Sequence, residues 1–138
     1  EVFPPNHTFP IEVQKNLPDI LPPLMMQRAH LREIMVNLLV NARDASREGG
    51  FVKISCSASP NYEIELRVKD SGEGIPAAQK EQIFEAYFTT KKKGTGLGLA
   101  IVKQNTELYG GEVIVESELG EGTEFILTFP TRVLSRDN

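Results

Sequence analysis

The chain carries a single cysteine, Cys56, so it has no disulfide framework and no Cys/His spacing suited to a metal site. Cys56 falls in phase with Val52, Ile54 and Ala58 on an alternating stretch and reads as a small core residue. Positive charge is not in excess either: 15 Lys and Arg face 19 Asp and Glu, a formal net charge of −4. With no long basic face, nucleic acid is not expected as a partner. No apolar run approaches the roughly 20 residues that span a bilayer, and no secretory signal opens the chain, which points to a cytoplasmic location. The first residue is not methionine, and the chain is expected to be a fragment of a longer protein. What remains is ordinary: 138 residues, 40% hydrophobic and 25% charged, fit one globular domain with a genuine core.

Phe9–Lys15 alternates and predicts an edge strand, followed by a link punctuated by Pro18, Pro22 and Pro23. A long helix is predicted over Met25–Arg47, closed by Gly49-Gly50. Phe51–Ala58 and Tyr62–Asp70 predict a hairpin turning at Ser59-Pro60-Asn61. A short helix is predicted after Pro76, to about Ala86. Thr89–Gly98, rich in lysine and glycine, predicts a mobile loop. A third helix covers Leu99–Tyr109 and ends at Gly110-Gly111, and strands Glu112–Glu118 and Thr123–Phe129 flank Gly120-Glu121-Gly122. The order β-α-β-β-α-α-β-β predicts a two-layer α/β sandwich over residues 9–130, a mixed five-stranded sheet with three helices on one face. The tail after Pro130 is polar and expected to fray.

Asp70 is the most informative residue. Ile64, Leu66 and Val68 share one face of their strand, and Asp70 falls in phase with them. A buried carboxylate needs a partner, and Gly72 and Gly74 follow it at once, allowing positive φ or close approach of a flat or anionic group to bare backbone. A ligand pocket explains both. On the last strand Thr123 is in phase with Phe125, Leu127 and Phe129 and should join Asp70 on the same apolar floor, although packing with a local hydrogen bond also explains it.

On the long helix, His30, Glu33, Asn37, Asn41 and Asp44 fall within a stripe of about 80°. Leu31, Ile34, Leu38, Leu39, Ala42 and Ala45 fill much of the rest, so the stripe should face a cavity or a ligand. Asparagine has mediocre helix propensity, and its side-chain carbonyl is a neutral hard-oxygen ligand suited to Mg²⁺ shared with phosphates. That makes Asn41 a metal candidate. For Glu33 and His30 a solvated helix face is the simpler account.

Gly94-Thr95-Gly96-Leu97-Gly98-Leu99-Ala100 stands between a lysine-rich loop and a helix, where backbone N–H groups and the helix dipole can hold an anion such as triphosphate. It is not a P-loop, because no Gly-Lys-Ser/Thr closes it. Gly72-Glu-Gly-Ile-Pro-Ala fits a dinucleotide-binding pattern, but Lys91–Lys93 stand where an acidic residue would hold a ribose. Beside the glycine loop, one of those lysines is a candidate for phosphate contact. Phe84, Tyr87 and Phe88 are expected to pack and anchor the loop.

Five segments in this order resemble the motifs of the catalytic ATP-binding domain of sensor histidine kinases, in the superfamily shared with gyrase, heat-shock chaperone and mismatch-repair ATPases. Asn37-Leu-Leu-Val-Asn41-Ala resembles the N box, Asp70-Ser-Gly-Glu-Gly-Ile75 the first glycine box and Ile83–Lys91 the F box. Residues 94–100 resemble the second glycine box and Gly120-Glu-Gly-Thr-Glu-Phe125 the last. The resemblance implies the Bergerat ATP-binding fold, an adenine amino group received by Asp70, Mg²⁺ on Asn41 and an ATP lid over residues 89–98. It places Gly72, Gly74, Ile75, Lys91, Gly94, Thr95, Gly96, Leu97, Gly98, Leu99 and Thr123 around the nucleotide, and Asn37, Asn41 and Glu33 in the catalytic group.

By the same resemblance the γ-phosphoryl group goes to a histidine on a separate dimerising helical hairpin, with a response regulator downstream and the parent possibly membrane-bound. Neither His7 nor His30 has the required His-Glu or His-Asp context, so the fragment is expected to bind Mg-ATP, not to phosphorylate itself, and to be monomeric. One departure concerns Asp44, which replaces a lysine common in the family; Arg43 or Lys91 could substitute. The superfamily's ATPases place a water-activating glutamate where Asn37 stands, and an amide cannot act as that base. The alternatives are an ATPase or serine kinase of the same superfamily, or a nucleotide-binding module without transfer.

Overall fold

A computed structural model of the chain describes residues 12–18, 24–47, 49–58, 63–88 and 96–131. Five strands form one sheet: β1 (Glu12–Asn16), β2 (Phe51–Ala58), β3 (Glu63–Asp70), β4 (Glu112–Glu118) and β5 (Gly122–Pro130). Two helices, α1 (Arg28–Ala45) and α2 (Gly98–Leu108), cover one face of it. The strand order is β1-β2-β3-β5-β4. β1 runs parallel to β2 and every other neighbour is antiparallel. The mixed two-layer sandwich is thus the architecture that the alternation of elements predicts.

Each element follows from its pattern. Alternation in β3 buries Ile64, Leu66, Val68 and Asp70 while Glu63 and Lys69 stay exposed. In α1, Ile34, Leu38 and Ala42 recur every four residues and form its buried stripe. No side chain caps the start of α1; the Gln27 carbonyl accepts the first N–H bonds, from His30 and Leu31, which sets the start three residues later than Met25. At the other end Ser46 is extended, and its hydroxyl donates to the Ala42 carbonyl at 2.7 Å, stopping the helix before Arg47. Between the layers lie Phe125, Leu127 and Phe129 of β5, with Val52, Val68, Leu38 and Val102.

The segment after Pro76 differs from expectation. In place of a helix to Ala86 there is one 3-10 turn, Ala77–Gln79, continued by turns. So short a segment is marginal as an α-helix. It is also fixed from inside, because Ile83 is buried and the Phe84 ring meets the edge of Phe125 with centroids 6.0 Å apart. The sequence also predicts strand residues 9–11, Pro22, Pro23, the turn at residues 59–61 and the fraying tail, and these lie outside the described residues, as does His7.

Leu38 is fully buried, whereas Val40, half a turn on, is 37% exposed. Leu38→Ala is expected to cost about 2–5 kcal/mol, and Val40→Ala at most about 1 kcal/mol, measured by urea denaturation of the two variants.

Candidate functional site

The sheet register brings three buried polar side chains into one row. Asp70 of β3 pairs with Thr123 of β5, which pairs with Ser117 of β4. Their exposures are 1%, 3% and 9%. All three point to the helix side, so the row forms a polar floor in an otherwise apolar layer. Ser117 escapes motif reading, yet its signal is present: it is in phase with Val113 and Val115, as Asp70 is with Val68. The Ser117 hydroxyl donates to the Gly122 carbonyl at 2.8 Å, accepts from the Ile75 N–H at 2.8 Å and meets the Thr123 hydroxyl at 2.9 Å. Its one proton is spent on Gly122, so the Thr123 hydroxyl is the donor to Ser117. Thr123 keeps its acceptor capacity beside Asp70.

Asp70 Oδ1 accepts the Gly72 N–H at 2.8 Å. Burial pushes its pKa up, the backbone of Gly72 and Thr123 pulls it down, and the charge of Glu73 adds to the rise. Among the described residues no lysine or arginine pairs with it. A desolvated carboxylate without a counter-cation is a strong acceptor for a neutral N–H donor such as an exocyclic amine.

The glycines serve the walls of the site. A Cβ on Gly72 would lie 2.2 Å from the Ala45 carbonyl oxygen, and one on Gly74, where φ is +80°, 2.2 Å from the Glu118 carbonyl oxygen. The close approaches are therefore to the chain's own backbone, at the last turn of α1 and the end of β4. The Glu73 N–H reaches the Ala45 carbonyl and the Gly120 N–H reaches the Glu73 carbonyl. Arg47 Nη2 then donates to the carbonyls of Gly72 at 2.8 Å and Gly120 at 2.9 Å, tying the two glycine turns together. No sequence signal marks Arg47 for this role; it depends on a contact across 73 residues of chain.

The polar stripe of α1 divides in two. Its first half faces α2 instead of a cavity: His30 Nδ1 meets the Tyr109 hydroxyl at 2.5 Å, and Glu33 Oε1 accepts from Asn105 Nδ2 at 2.7 Å. Asn37 Nδ2 donates to the Glu33 carbonyl at 2.8 Å, and its Oδ1 lies where a Cβ on Gly98 would come within 2.9 Å. The expectation of a ligand-facing stripe is thus corrected for His30 and Glu33, because α2 supplies matching polar groups that the helix pattern alone cannot reveal. Farther along, the half-buried Asn41 side chain has no hydrogen-bond partner among the described residues, and it stands one turn before Ala45, where α1 touches Gly72. Asp44 is exposed and beside Arg43.

Gly98 opens α2, and Leu97, which precedes it, gives no side-chain cap. The first-turn N–H groups of α2 are left for an anion or solvent. Gly96 has φ +77° and its carbonyl accepts the Tyr87 N–H at 2.6 Å. Leu97, Gly98 and Leu99 are half-buried, so the second half of the glycine run lies at the helix entrance. Lys91, Gly94 and Thr95 lie outside the described residues. No cluster of three or more His, Cys, Asp or Glu occurs among the described residues. The neutral side-chain carbonyl of Asn41 is a group that could hold a hard cation. No helix among the described residues is long and apolar enough to cross a membrane.

The family described as histidine kinase-, DNA gyrase B-, and HSP90-like ATPase matches residues 26–133. The chain is 37% identical over 127 residues to sensor histidine kinase ZraS of Escherichia coli K12, covering 92% of this chain and 27% of that protein. Sporulation kinase E of Bacillus subtilis is 34% identical over 122 residues, covering 88% of this chain and 16% of that protein. The chain thus spans about a quarter or less of these two relatives' length. The nucleotide-free catalytic domain of histidine kinase ThkA superposes with a TM-score of 0.77 at 32% identity, over 88% of this chain and 79% of that one. With the motif order, the inner-face polar row and the uncapped α2 entrance all in place, the chain belongs to the histidine kinase-, DNA gyrase B- and HSP90-like ATPase family, as a histidine kinase catalytic domain.

Proposed function

We propose that the domain binds Mg-ATP and donates the γ-phosphoryl group to a histidine on a separate dimerisation domain of a two-component sensor kinase, with a response regulator as the next acceptor. The observation that carries this reading is the buried Asp70–Thr123–Ser117 row, an acceptor-rich floor without a counter-cation. Adenine would lie on that floor with its amino group donated to Asp70, while Thr123, Gly72, Gly74 and Ile75 bound it. The phosphates would lie toward the entrance of α2, with Gly96, Leu97, Gly98 and Leu99 presenting backbone and Lys91, Gly94 and Thr95 completing the run. A similar chain, full-length ShkA, has been solved in complex with AMPPNP, at 35% identity over 87% of this chain and 25% of that one.

Phosphoryl transfer needs chiefly positioning and charge neutralisation. Asn41 would hold Mg²⁺ by its side-chain carbonyl, and the ion when bound would neutralise charge on the phosphates. Asn37 has an amide where an ATPase would need a base, which favours transfer over hydrolysis. Glu33 has its carboxylate committed to Asn105 and its carbonyl to Asn37, so its part is to position Asn37. His30 is engaged with Tyr109 on the α1–α2 contact, which supports an acceptor histidine on another domain. The domain alone would be a monomer.

Four outcomes test this. Asp70→Asn turns an acceptor toward the adenine amine into a donor, and calorimetry should show ATP bound about 10–100-fold more weakly, the worth of a hydrogen bond to a charged group. The same variant separates binding from folding. Because the folded-state pKa of Asp70 lies above its unfolded value, ionising the native carboxylate costs stability as pH rises through that range. Asp70→Asn should raise Tm at pH 7 and lose that advantage as pH falls to the unfolded carboxylate range; a lower Tm at pH 7 would contradict the burial cost. Asn41→Ala should abolish the Mg²⁺ dependence of ATP binding while metal-free nucleotide still binds. Finally, radiolabelled ATP should give no phosphohistidine on the domain alone, and phosphohistidine on the cognate helical hairpin when the two are mixed. Steady phosphate release, or phosphoserine on a partner, would favour an ATPase or serine kinase.

A further inference from the structure

The outer face of the sheet, away from the helices, carries an arrangement that folding alone does not favour. Lys53 of β2 and Lys69 of β3 are direct cross-strand partners, and both are exposed. Directly opposed like charges in an antiparallel pair are destabilising. The obvious remedy is absent: Lys69 has Glu124 opposite it on β5, but Glu124 is engaged by Arg67 at 3.3 Å. Arg67 also holds Glu65 at 2.6 Å, so two carboxylates serve the arginine. Among the described residues neither lysine ammonium has an ion pair or a hydrogen bond. The two lysines border a depression of about 360 Å³, a volume in the range of small-molecule sites. Phe51 gives it an apolar wall, the Ser55 hydroxyl adds a neutral polar group, and Arg67, the Arg67-bound Glu124 and Gln14, whose amide donates to Glu12 Oε1 at 3.1 Å, complete the lining.

We infer that this depression binds a compact dianion of the phosphate-monoester class, shared between the ammonium groups of Lys53 and Lys69. Cβ atoms of direct cross-strand partners stand about 4.5–5.5 Å apart, so two flexible lysines can converge on one phosphate and turn repulsion into a common attraction. A phosphate carries close to two charges near neutral pH, matching the uncompensated pair. The Phe51 wall suits an organic body attached to the phosphate. Glu124 lines the depression with its charge taken up by Arg67, and a long polyanion fits poorly because it would also meet Glu65 and a chain that is acidic overall. The site lies across the sheet from Asp70, whose side chain points to the helix side, so it is separate from the proposed nucleotide pocket.

The test is an amide-shift NMR titration of the ¹⁵N-labelled domain with phenyl phosphate at constant ionic strength. Saturable shifts at Lys53, Ser55 and Lys69 are expected, with affinity at least tenfold weaker in Lys53→Gln/Lys69→Gln and with ATP affinity unchanged in that variant. Without ligand the double variant should also have a higher Tm, because the like-charge pair is gone. Equal titration of variant and parent, shifts reproduced by sodium chloride, or a lower Tm in the variant would overturn the assignment. Inorganic phosphate and a phosphoserine peptide distinguish the source. Inorganic phosphate binding as tightly as phenyl phosphate identifies a free-anion site, and tighter binding of either organic ester identifies a phosphate carried on a larger body.

Discussion

The structure depends on one unfavourable act: taking the Asp70 carboxylate out of water without giving it a cation. Its Oδ1 is held by the Gly72 N–H, and that bond fixes where the chain turns after β3. The turn can be so tight only because Gly72 lies against the Ala45 carbonyl, and Gly74 against that of Glu118. The carboxylate, the first glycine turn, the end of α1 and the end of β4 are therefore one mechanical unit, clamped by Arg47. Burial leaves Asp70 with acceptor capacity that the described side chains do not consume, and under the proposed function a base bearing an amine would satisfy it. The energy lost in folding is recovered in recognition.

α1 links the two ends of the site. Its last turn touches the glycine turn after Asp70, and its middle touches the start of α2 through Asn37 and Gly98. The polar ladder from His30–Tyr109 through Glu33–Asn105 sets the helix separation that lets Asn37 come so near. Gly98 follows from this as much as from any ligand, because a side chain there would meet Asn37 Oδ1. Positions that look like phosphate-binding residues are thus also packing residues, and the uncapped start of α2 inherits its place from α1.

Much of this is legible in the sequence, for identifiable reasons. Strand alternation is local, so the inward phase of Asp70 and Thr123 could be read directly, and both lie on the inner face. The order of elements gives the mixed sheet. Partners from distant segments are not legible: no periodicity tells Glu33 that Asn105 will face it, or Arg47 that Gly72 and Gly120 will converge. The glycines illustrate the limit well. Composition shows where backbone must come close to something, and only the fold shows that at Gly72 and Gly74 that something is the protein itself. The helix predicted after Pro76 does not form for a related reason, since burial of Ile83 and contact of Phe84 with Phe125 override a weak local preference.

The central claim is that Asp70 reads the exocyclic amine of the base. ATP and purine riboside triphosphate differ at that position alone, an amino group against a hydrogen, with identical sugar and triphosphate. Titration calorimetry of the domain with each nucleotide in excess Mg²⁺ is therefore the most direct measurement. ATP is expected to bind at least about tenfold more tightly, since the analogue would leave the buried carboxylate without its donor. Equal affinities would contradict it and place the base somewhere other than the Asp70 floor.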